Sequence, residues 1–237
     1  MTEMKNIIQS PSKDLPLWIR GYLGREDLEA IETKIGEIER STAGELVLVI
    51  ARRSFNWRLH YPIVTLFLLL LFMIFFEDEF MSWFDYQFII TSVWAELGLK
   101  LSLFLVILLM SNLLSKIGFI ARLTTPSEIR RKMAEARAEL EFFRSGIKAT
   151  KAATGILVFM AIDDRQAVIL ADKAISSKLP PDTWDHILAE LLMGIKSKKA
   201  RDGILKAVEM SGAILQEHFP IGPGDTNELQ NHVVIID

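Results

Sequence analysis

The hydrophobic pattern of the chain changes sharply between residues 61 and 121. Residues 61–76 (YPIVTLFLLLLFMIFF) form a run of 16 residues without a charge, and residues 101–115 (LSLFLVILLMSNLLS) form a second uncharged run. A helix of that length spans about 24 Å, slightly less than a hydrocarbon core of about 30 Å. The second run can extend to Ala121 if the Lys116 side chain reaches the interface. The pattern predicts a two-pass transmembrane hairpin over residues 61–121, and the alternative is a pair of buried core helices in a soluble protein.

The charges that flank the two runs predict how they are oriented. Basic residues lie before the first run and after the second, and the connection between the runs is acidic. The basic residues are Arg52, Arg53 and Arg58, then Lys116, Arg122, Arg130, Arg131 and Lys132; the acidic ones are Glu77, Asp78, Glu79 and Asp85. Basic flanks stay on the cytoplasmic side of a membrane. We therefore expect both termini in the cytoplasm and a short acidic loop outside.

The second run carries serine and asparagine side chains, which the first run lacks. Ser111, Asn112 and Ser115 lie near its C-terminal end. Such side chains let helices approach closely, and an amide inside a membrane needs a hydrogen-bond partner. Two interpretations stay open. The three residues pack against the first run, or they are the contact with another membrane protein.

Outside these runs the pattern alternates between helices and strands. Leu28, Ile31, Ile35 and Ile38 are spaced as one helical stripe, and LVLVIA (46–51) is a continuous apolar run typical of a strand covered on both faces. A long helix is predicted after Pro126, which suits a first helical turn. Its charged residues are expected to face solvent, which assigns the remaining stripe to the core. That stripe comprises Ile129, Met133, Ala136, Leu140, Phe143 and Ile147.

Residues 154–172 (TGILVFMAIDDRQAVILAD) consist of two apolar runs joined by four polar residues, 163–166. This pattern predicts a β-hairpin with an acidic turn. Two helices follow, one after Pro181 and one at about 202–217, and HVVIID at the C-terminal end predicts an edge strand. A short sequence similar to that around Thr42 and Gly44 recurs at 154–158. The two strands at these positions are therefore expected to be neighbours in one sheet.

The composition excludes several classes of protein. The chain of 237 residues has no cysteine, which excludes disulfides, thiolate metal sites and a cysteine nucleophile. Its formal charge of -3 argues against a nucleic-acid-binding protein. The first 16 residues have no apolar core like that of a signal peptide. The four histidines are scattered, and we find no nucleophile elbow or phosphate-binding glycine loop.

With these elements in order, the chain resembles the TPM-domain family, and specifically its bacterial branch in which two transmembrane helices interrupt the domain. The resemblance covers roughly residues 26 to 236. It rests on a set of short motifs in the family's order: Thr42-Ala43-Gly44-Glu45, Thr154-Gly155, Asp163-Asp164-Arg165, Leu170-Ala171-Asp172, Leu179-Pro180-Pro181, Trp184, Gly203-Ile204, His218-Phe219-Pro220 and Asn227-Glu228-Leu229.

The resemblance implies an α/β/α sandwich with a small central sheet, interrupted by the transmembrane hairpin. The expected organisation is an N-terminal segment (1–25), the first part of the domain (26–60), the hairpin (61–121) and the second part of the domain (122–237). The expected location is the bacterial inner membrane, with the domain in the cytoplasm. Family members are associated with assembly, repair or modulation of membrane protein complexes, photosystem II among them. Some are described as acid phosphatases, and some bind calcium near acidic loop residues.

The positions that match the family's acidic loop are Asp163 and Asp164, which are the candidate metal ligands. Calcium takes six to eight oxygens, and Glu45 or Asp172 are candidates to supply more of them. The chain departs from many members at Asp172-Lys173-Ala174, where they have a Gly-x-Gly loop, and Arg165 adds a positive charge beside the acidic pair. Two functions follow as hypotheses. The first is a non-enzymatic membrane module that binds a larger complex, and the alternative is a cation-dependent phosphoester hydrolase. A third interpretation is a homo-oligomeric scaffold.

Overall fold

A computed structural model describes residues 15–54, 61–75, 79–80, 82–83, 93–114, 125–147, 154–180, 182–222 and 233–236. Contacts between residues divide the chain into two compact units. The first unit joins residues 1–55 to residues 130–237, and the second holds residues 56–129. The predicted end of the hairpin at residue 121 lies outside the described residues.

The first unit is built on a four-stranded sheet with the strand order β3-β2-β1-β4. The strands are β1 (Glu45–Ala51), β2 (Gly155–Ala161), β3 (Gln166–Ala171) and β4 (Val233–Ile236). β1 pairs in parallel with both β2 and β4, and β2 pairs antiparallel with β3. The predicted neighbours β1 and β2 are confirmed, as are the hairpin and the C-terminal edge strand. β1 and β2 are buried along their whole lengths, because apolar side chains from both of their faces are covered.

Three helices of the first unit contribute to the same large core. They are α1 (Arg25–Glu39), α6 (Thr183–Lys196) and α7 (Ala200–His218). The predicted stripe of α1, from Leu28 to Ile38, is buried against the even-numbered side chains of β1 and β2, such as Leu48 and Val158. α6 and α7 pack closely because two glycines meet between them. A Cβ added to Gly203 would lie 2.9 Å from the Cα of Gly194.

The opposite face of the sheet is covered by α4 (Ser127–Arg144), and here the predicted buried face is wrong. Ala134, Ala138 and Phe142 pack on the odd-numbered side chains of β1 and β2. The physical reason is size, because small alanines let the helix lie close to the sheet. The predicted stripe lies on the other side of α4 and is exposed at Ile129 and Leu140. Its last member, Ile147, follows the helix and is buried over Gly155. Helices therefore cover both faces of the sheet, which makes the first unit an α/β/α sandwich.

The short helix α5 (Lys173–Ser176) follows β3 directly. Asp172 is its N-cap, and the Asp172 side chain accepts a hydrogen bond from the Lys173 N–H.

The second unit contains α2 (Tyr61–Phe75) and α3 (Val93–Leu114), which pack against each other. One window of α3, Leu97–Leu114, is long and apolar enough to cross a membrane, with a mean hydropathy of 2.1 and 6% of the window buried. The apolar part of α2, Pro62–Phe72, is shorter than that criterion requires. The two-pass hairpin therefore stays a prediction.

Candidate functional site

The acidic turn between β2 and β3 consists of residues 162–165. The Arg165 N–H donates to the Ile162 carbonyl at 3.2 Å, which closes a four-residue turn. Arg165 has a φ of 52°, in the left-handed region that an arginine seldom adopts. The sequence therefore forms the predicted turn with a strained residue at its last position.

Parallel pairing with β1 brings a second segment to this turn. Ala51 pairs with Ala161, so the residues that follow each strand run side by side. The backbone ladder continues beyond the strands, because the Ile162 N–H donates to the Ala51 carbonyl at 3.1 Å and the Asp163 N–H donates to the Arg52 carbonyl at 2.9 Å. Residues 52–54 are the last described residues before the second unit.

Asp163 makes ion pairs with both arginines of that segment. Its Oδ2 lies 3.3 Å from Arg52 Nε and 3.2 Å from Arg53 Nε. All three side chains are partly exposed, so solvent screens the attraction. Ion pairs as exposed as these contribute about 0–1 kcal/mol, so the contact adds little stability.

Asp164 is fully buried and is held by Ser54. Its Oδ2 accepts a hydrogen bond from the Ser54 N–H at 2.6 Å and another from the Ser54 hydroxyl. Ser54 is itself buried. A buried carboxylate is tolerated when donors of this kind satisfy it, and hydrogen bonds to a charged group are the stronger ones. We call the contacts of Asp163 and Asp164 with residues 52–54 the acidic clamp.

The register contradicts the suggestion that Glu45 or Asp172 completes a cation site with the acidic pair. Glu45 pairs with Gly155, and the Asp172 N–H donates to the Gly155 carbonyl. Both residues therefore lie at the far end of β2, about 20 Å from the turn at roughly 3.3 Å per residue. The suggestion was wrong because it counted strand ends without considering which end each residue occupies.

The residues around the turn do not fit a calcium site. Calcium takes six to eight oxygen ligands, whereas two arginines and a serine already engage the two carboxylates. Within the described parts of the chain, no three His, Cys, Asp or Glu side chains group in a way that could hold a metal ion. Cation binding at Asp163 and Asp164 stays a prediction.

The sequence did not indicate Ser54 as a member of this site, and it gave Arg52 and Arg53 a role only in membrane orientation. A signal was present, however. The echo between the two strands predicted that they are neighbours, and parallel neighbours bring the residues after them together.

The second candidate site lies in the second unit. Ser111 is buried and accepts a hydrogen bond from the Thr65 hydroxyl at 2.7 Å, so this serine packs on the first apolar helix. Asn112 is exposed on α3, and Ser115 lies outside the described residues. The structure therefore favours the packing interpretation for Ser111 and leaves Asn112 as the candidate contact with a partner.

Fold and site together define an α/β/α domain that is interrupted by an apolar two-helix unit and has a clamped acidic turn. The family model described as the TPM domain matches residues 118–214. The match to this part of the chain confirms the resemblance to the TPM-domain family seen in its motifs. The match begins after α3, yet β1, which precedes both apolar helices, pairs with two other strands of the sheet.

One solved structure has a similar fold. It is the NMR structure of the BA42 protein from the psychrophilic bacterium Bizionia argentinensis, with a TM-score of 0.53 and 18% sequence identity, and the match covers 90% of this chain and 95% of that one. At that identity the likeness concerns the fold alone. The comparison with curated proteins gives no match.

Proposed function

We propose that this chain is a membrane-anchored, non-enzymatic TPM-type module that binds a larger membrane protein complex and helps to assemble or stabilise it. The observation that carries the non-enzymatic part is the acidic clamp. Catalysis or cation binding at the turn requires carboxylate oxygens that can reach a ligand. Here Asp164 is fully buried against Ser54, and Asp163 lies between Arg52 and Arg53.

The anchor is supported by the surface of α2 and α3. Leu66, Phe67 and Ile74 of α2 and Leu101 and Leu109 of α3 are all more than half exposed. Each large apolar side chain left in water forfeits about 1.5–3 kcal/mol relative to burial. A bilayer removes this penalty for the whole surface, and the backbone of each helix is already satisfied internally. We infer that the two helices form the membrane hairpin.

Cysteine accessibility tests the anchor directly, because the natural chain has no cysteine. Ser82→Cys lies between the two apolar helices, and Glu29→Cys lies on the exposed side of α1. In intact bacterial cells, a membrane-impermeant maleimide should label the first variant and should label the second only after the membrane is opened. Equal labelling of both variants in intact cells contradicts the hairpin.

Binding to a membrane partner is supported by Asn112, an amide exposed near the C-terminal end of the apolar window of α3. An amide in hydrocarbon favours a hydrogen bond to a neighbouring helix. Affinity purification in a mild detergent should show that Asn112→Leu weakens association with the partner, while Asp163→Ala leaves association largely intact. Equal recovery of the partner with Asn112→Leu and with the natural chain refutes the contact through α3.

The alternative function, a cation-dependent phosphoester hydrolase, makes the opposite prediction. It requires that the purified chain cleave a phosphoester in a cation-dependent manner and that Asp164→Asn abolish cleavage. Our proposal predicts that the natural chain shows no more cation-dependent cleavage than Asp164→Asn does, when the two are compared at the same concentration of folded protein.

A further inference from the structure

The loop between α6 and α7 presents three lysines to solvent. Lys196, Lys198 and Lys199 are all exposed, and none of them makes an ion pair with another described residue. No acidic residue lies within 196–201, where Arg201 adds a fourth positive charge. Like charges held this close repel one another, so the cluster favours an anionic partner. The position of the loop in the fold indicates which partner is at hand.

Hydrogen bonds along α1 show that this helix runs antiparallel to β1. Glu39, at the end of α1, accepts a hydrogen bond from the N–H of Leu46 near the start of β1. Glu32, two turns earlier, accepts one from the N–H of Val233, and Val233 pairs with Leu48 further along β1. The first turn of α1 therefore lies at the edge of the sheet where β1 ends.

α7 lies beside α1 and runs in the same direction. The residues in contact advance together along both helices, in the pairs Asp27–Arg201, Lys34–Glu209 and Ile38–Gly212. Near the C-terminal end of α7, Leu215 lies against Gly44, just before β1. From Leu215 back to Ala200 is about 22 Å along a helix, and from Gly44 to Ala51 is about 23 Å along a strand. The α6–α7 loop is therefore level with the C-terminal end of β1.

The chain leaves the sandwich for α2 at this same end of β1. The acidic clamp holds Ser54 there, and residues 55–60 separate it from Tyr61. The chain from Ser54 to Tyr61 spans at most about 25 Å when fully extended. We call this side of the sandwich, with residues 52–54, the acidic turn, the first turn of α1 and the α6–α7 loop, the exit edge. With α2 in a membrane, as proposed above, Ser54 at the exit edge lies within that distance of the membrane.

The acidic residues of the exit edge do not cancel its positive charge. Asp27 pairs with Arg201, and Asp163 pairs with the two arginines before Ser54. Eight basic and five acidic residues lie at this edge, in a chain whose formal net charge is -3; they fall within 25–27, 52–54, 162–165 and 196–202. Asp237, which follows β4 in the chain, is a further acidic residue and lies outside the described residues. The exit edge is therefore net positive.

The segment that leads into α1 adds side chains that suit a lipid surface. Residues 15–24 end at Gly24, the N-cap of α1. Leu17 is 81% exposed and Tyr22 is 37% exposed, whereas Ile19 and Leu23 are buried. Exposed leucine and tyrosine side chains together with lysines are typical of segments that lie at a membrane surface. The cytoplasmic leaflet is negatively charged and attracts lysines that lie close to it.

We propose that the exit edge docks on an anionic lipid surface through Lys196, Lys198 and Lys199. The lysines are more than 80 residues from α3 in the sequence, so they are not flanking charges of the apolar helices. The fold alone brings them to the edge from which the chain leaves for α2. This inference rests on the membrane anchor proposed above and adds a second, electrostatic contact to it.

Fluorescence quenching of the full chain in vesicles tests the docking. Because the natural chain has no cysteine, Ser197→Cys places a single label in the α6–α7 loop. Ser177→Cys places one at the opposite edge, just after α5. The vesicles contain phosphatidylcholine alone or with about one-third phosphatidylglycerol, and a lipid with a spin-labelled headgroup quenches labels at the surface. In the anionic vesicles the label at 197 should be quenched more strongly than the label at 177.

Removal of the three lysine charges should abolish this difference. Each lysine at an anionic surface contributes about fivefold to the ratio of docked to undocked protein, so the combined replacement should lower that ratio on the order of 100-fold. The combined variant is Lys196→Gln, Lys198→Gln and Lys199→Gln. The three side chains are exposed, so the variant should fold, and the thermal unfolding midpoint verifies this.

A second combined variant removes the same number of charges from the opposite edge. It consists of Arg40→Gln, Lys173→Gln and Lys178→Gln, whose side chains are also exposed. The label at 197 should be quenched in this control as strongly as in the chain with all its basic residues. The control separates the position of the charges from the net charge of the chain.

Equal quenching at 197 and 177 in anionic vesicles overturns the docking. So does quenching at 197 that is the same in neutral vesicles or in the lysine variant. An acidic protein partner does not produce the signal, because this chain is the only protein present. A chain that does not float with the vesicles refutes the membrane anchor, and the docking with it. A chain that floats while its label at 197 stays unquenched refutes the docking alone.

Discussion

Replacing Asp164 by alanine should destabilise the α/β/α sandwich far more than replacing its neighbour Asp163. Asp164 is fully buried, and it is the acceptor for both the N–H and the hydroxyl of Ser54, which is buried as well. Asp163 is partly exposed and contacts two partly exposed arginines. The two residues are adjacent in sequence and chemically identical, so the difference depends on the clamp geometry alone.

The expected magnitudes follow from the groups that lose a partner. Without Asp164, two buried donors are left without this acceptor, at about 1–3 kcal/mol each, and removal of a desolvated carboxylate offsets part of this cost. We expect a net loss of about 2–4 kcal/mol for Asp164→Ala. For Asp163→Ala we expect less than about 1 kcal/mol, as for other exposed ion pairs. Ser54→Ala removes one donor and should lie between the two variants.

Thermal unfolding of the full chain in mild detergent, followed by tryptophan fluorescence, measures these differences. A loss of 1 kcal/mol lowers the midpoint by about 2–4 °C in a domain of this size, so Asp164→Ala should lower it by roughly 5–15 °C. Asp182→Ala is the matched control, because Asp182 is exposed and its side chain makes no cap hydrogen bond. It should leave the midpoint nearly unchanged.

Two outcomes would refute this reasoning. One is an Asp164→Ala midpoint within about 1 °C of the natural chain, which is below the effect of any lost buried hydrogen bond. The other is an equal loss for Asp163→Ala and Asp164→Ala together with an equal loss when a chelator is added to the natural chain. That pattern is expected of a shared cation rather than of a clamp.

Three further predictions concern packing elsewhere. Gly203→Ala should cost about 1–3 kcal/mol, because its Cβ would meet the backbone of Gly194, whereas Gly21→Ala has open space and should cost little; the unfolding midpoint distinguishes them. Thr154→Val removes the hydroxyl that donates to the Ala43 carbonyl at 2.6 Å and should cost about 1 kcal/mol in the same assay, and an unchanged midpoint contradicts that role. Thr65→Val removes the hydroxyl that donates to buried Ser111 and should weaken the contact between α2 and α3 by about 0.5–1 kcal/mol. SDS titration measures this loss, with Ser102→Ala on the exposed side of α3 as the control.

Most of the sandwich could be predicted because its elements have local signals. The stripe of α1 and the continuous run of β1 each specify one element and its burial. The β-hairpin of β2 and β3 could be predicted because two apolar runs flank a polar turn. These patterns work because burial on one face or on both faces leaves a period in the sequence.

The face of α4 could not be predicted by the same rule. Its bulky apolar residues Ile129 and Leu140 are exposed on the outer face, while the residues that touch the sheet are mostly alanines. A periodicity argument assigns the largest side chains to the core, yet close packing on a sheet favours small ones.

The acidic clamp could not be predicted from local sequence patterns, for a different reason. Ser54 and Asp164 are 110 residues apart, and only the parallel register of β1 and β2 brings them together. The same register separates Glu45 and Asp172 from the acidic turn. The residues that come together at the site are therefore set by which ends of the strands meet. A sequence motif alone does not give this information.

Native separation of membranes solubilised in a mild detergent, followed by mass spectrometry of the band that contains this chain, tests the central claim most directly. We predict that the chain migrates in an assembly larger than a dimer of its 26.9 kDa polypeptide, together with at least one other membrane protein. The assembly should persist in Asp163→Ala and should shrink in Asn112→Leu. Migration of the natural chain only as a monomer or dimer, with no other membrane protein in the band, contradicts a role in a larger complex.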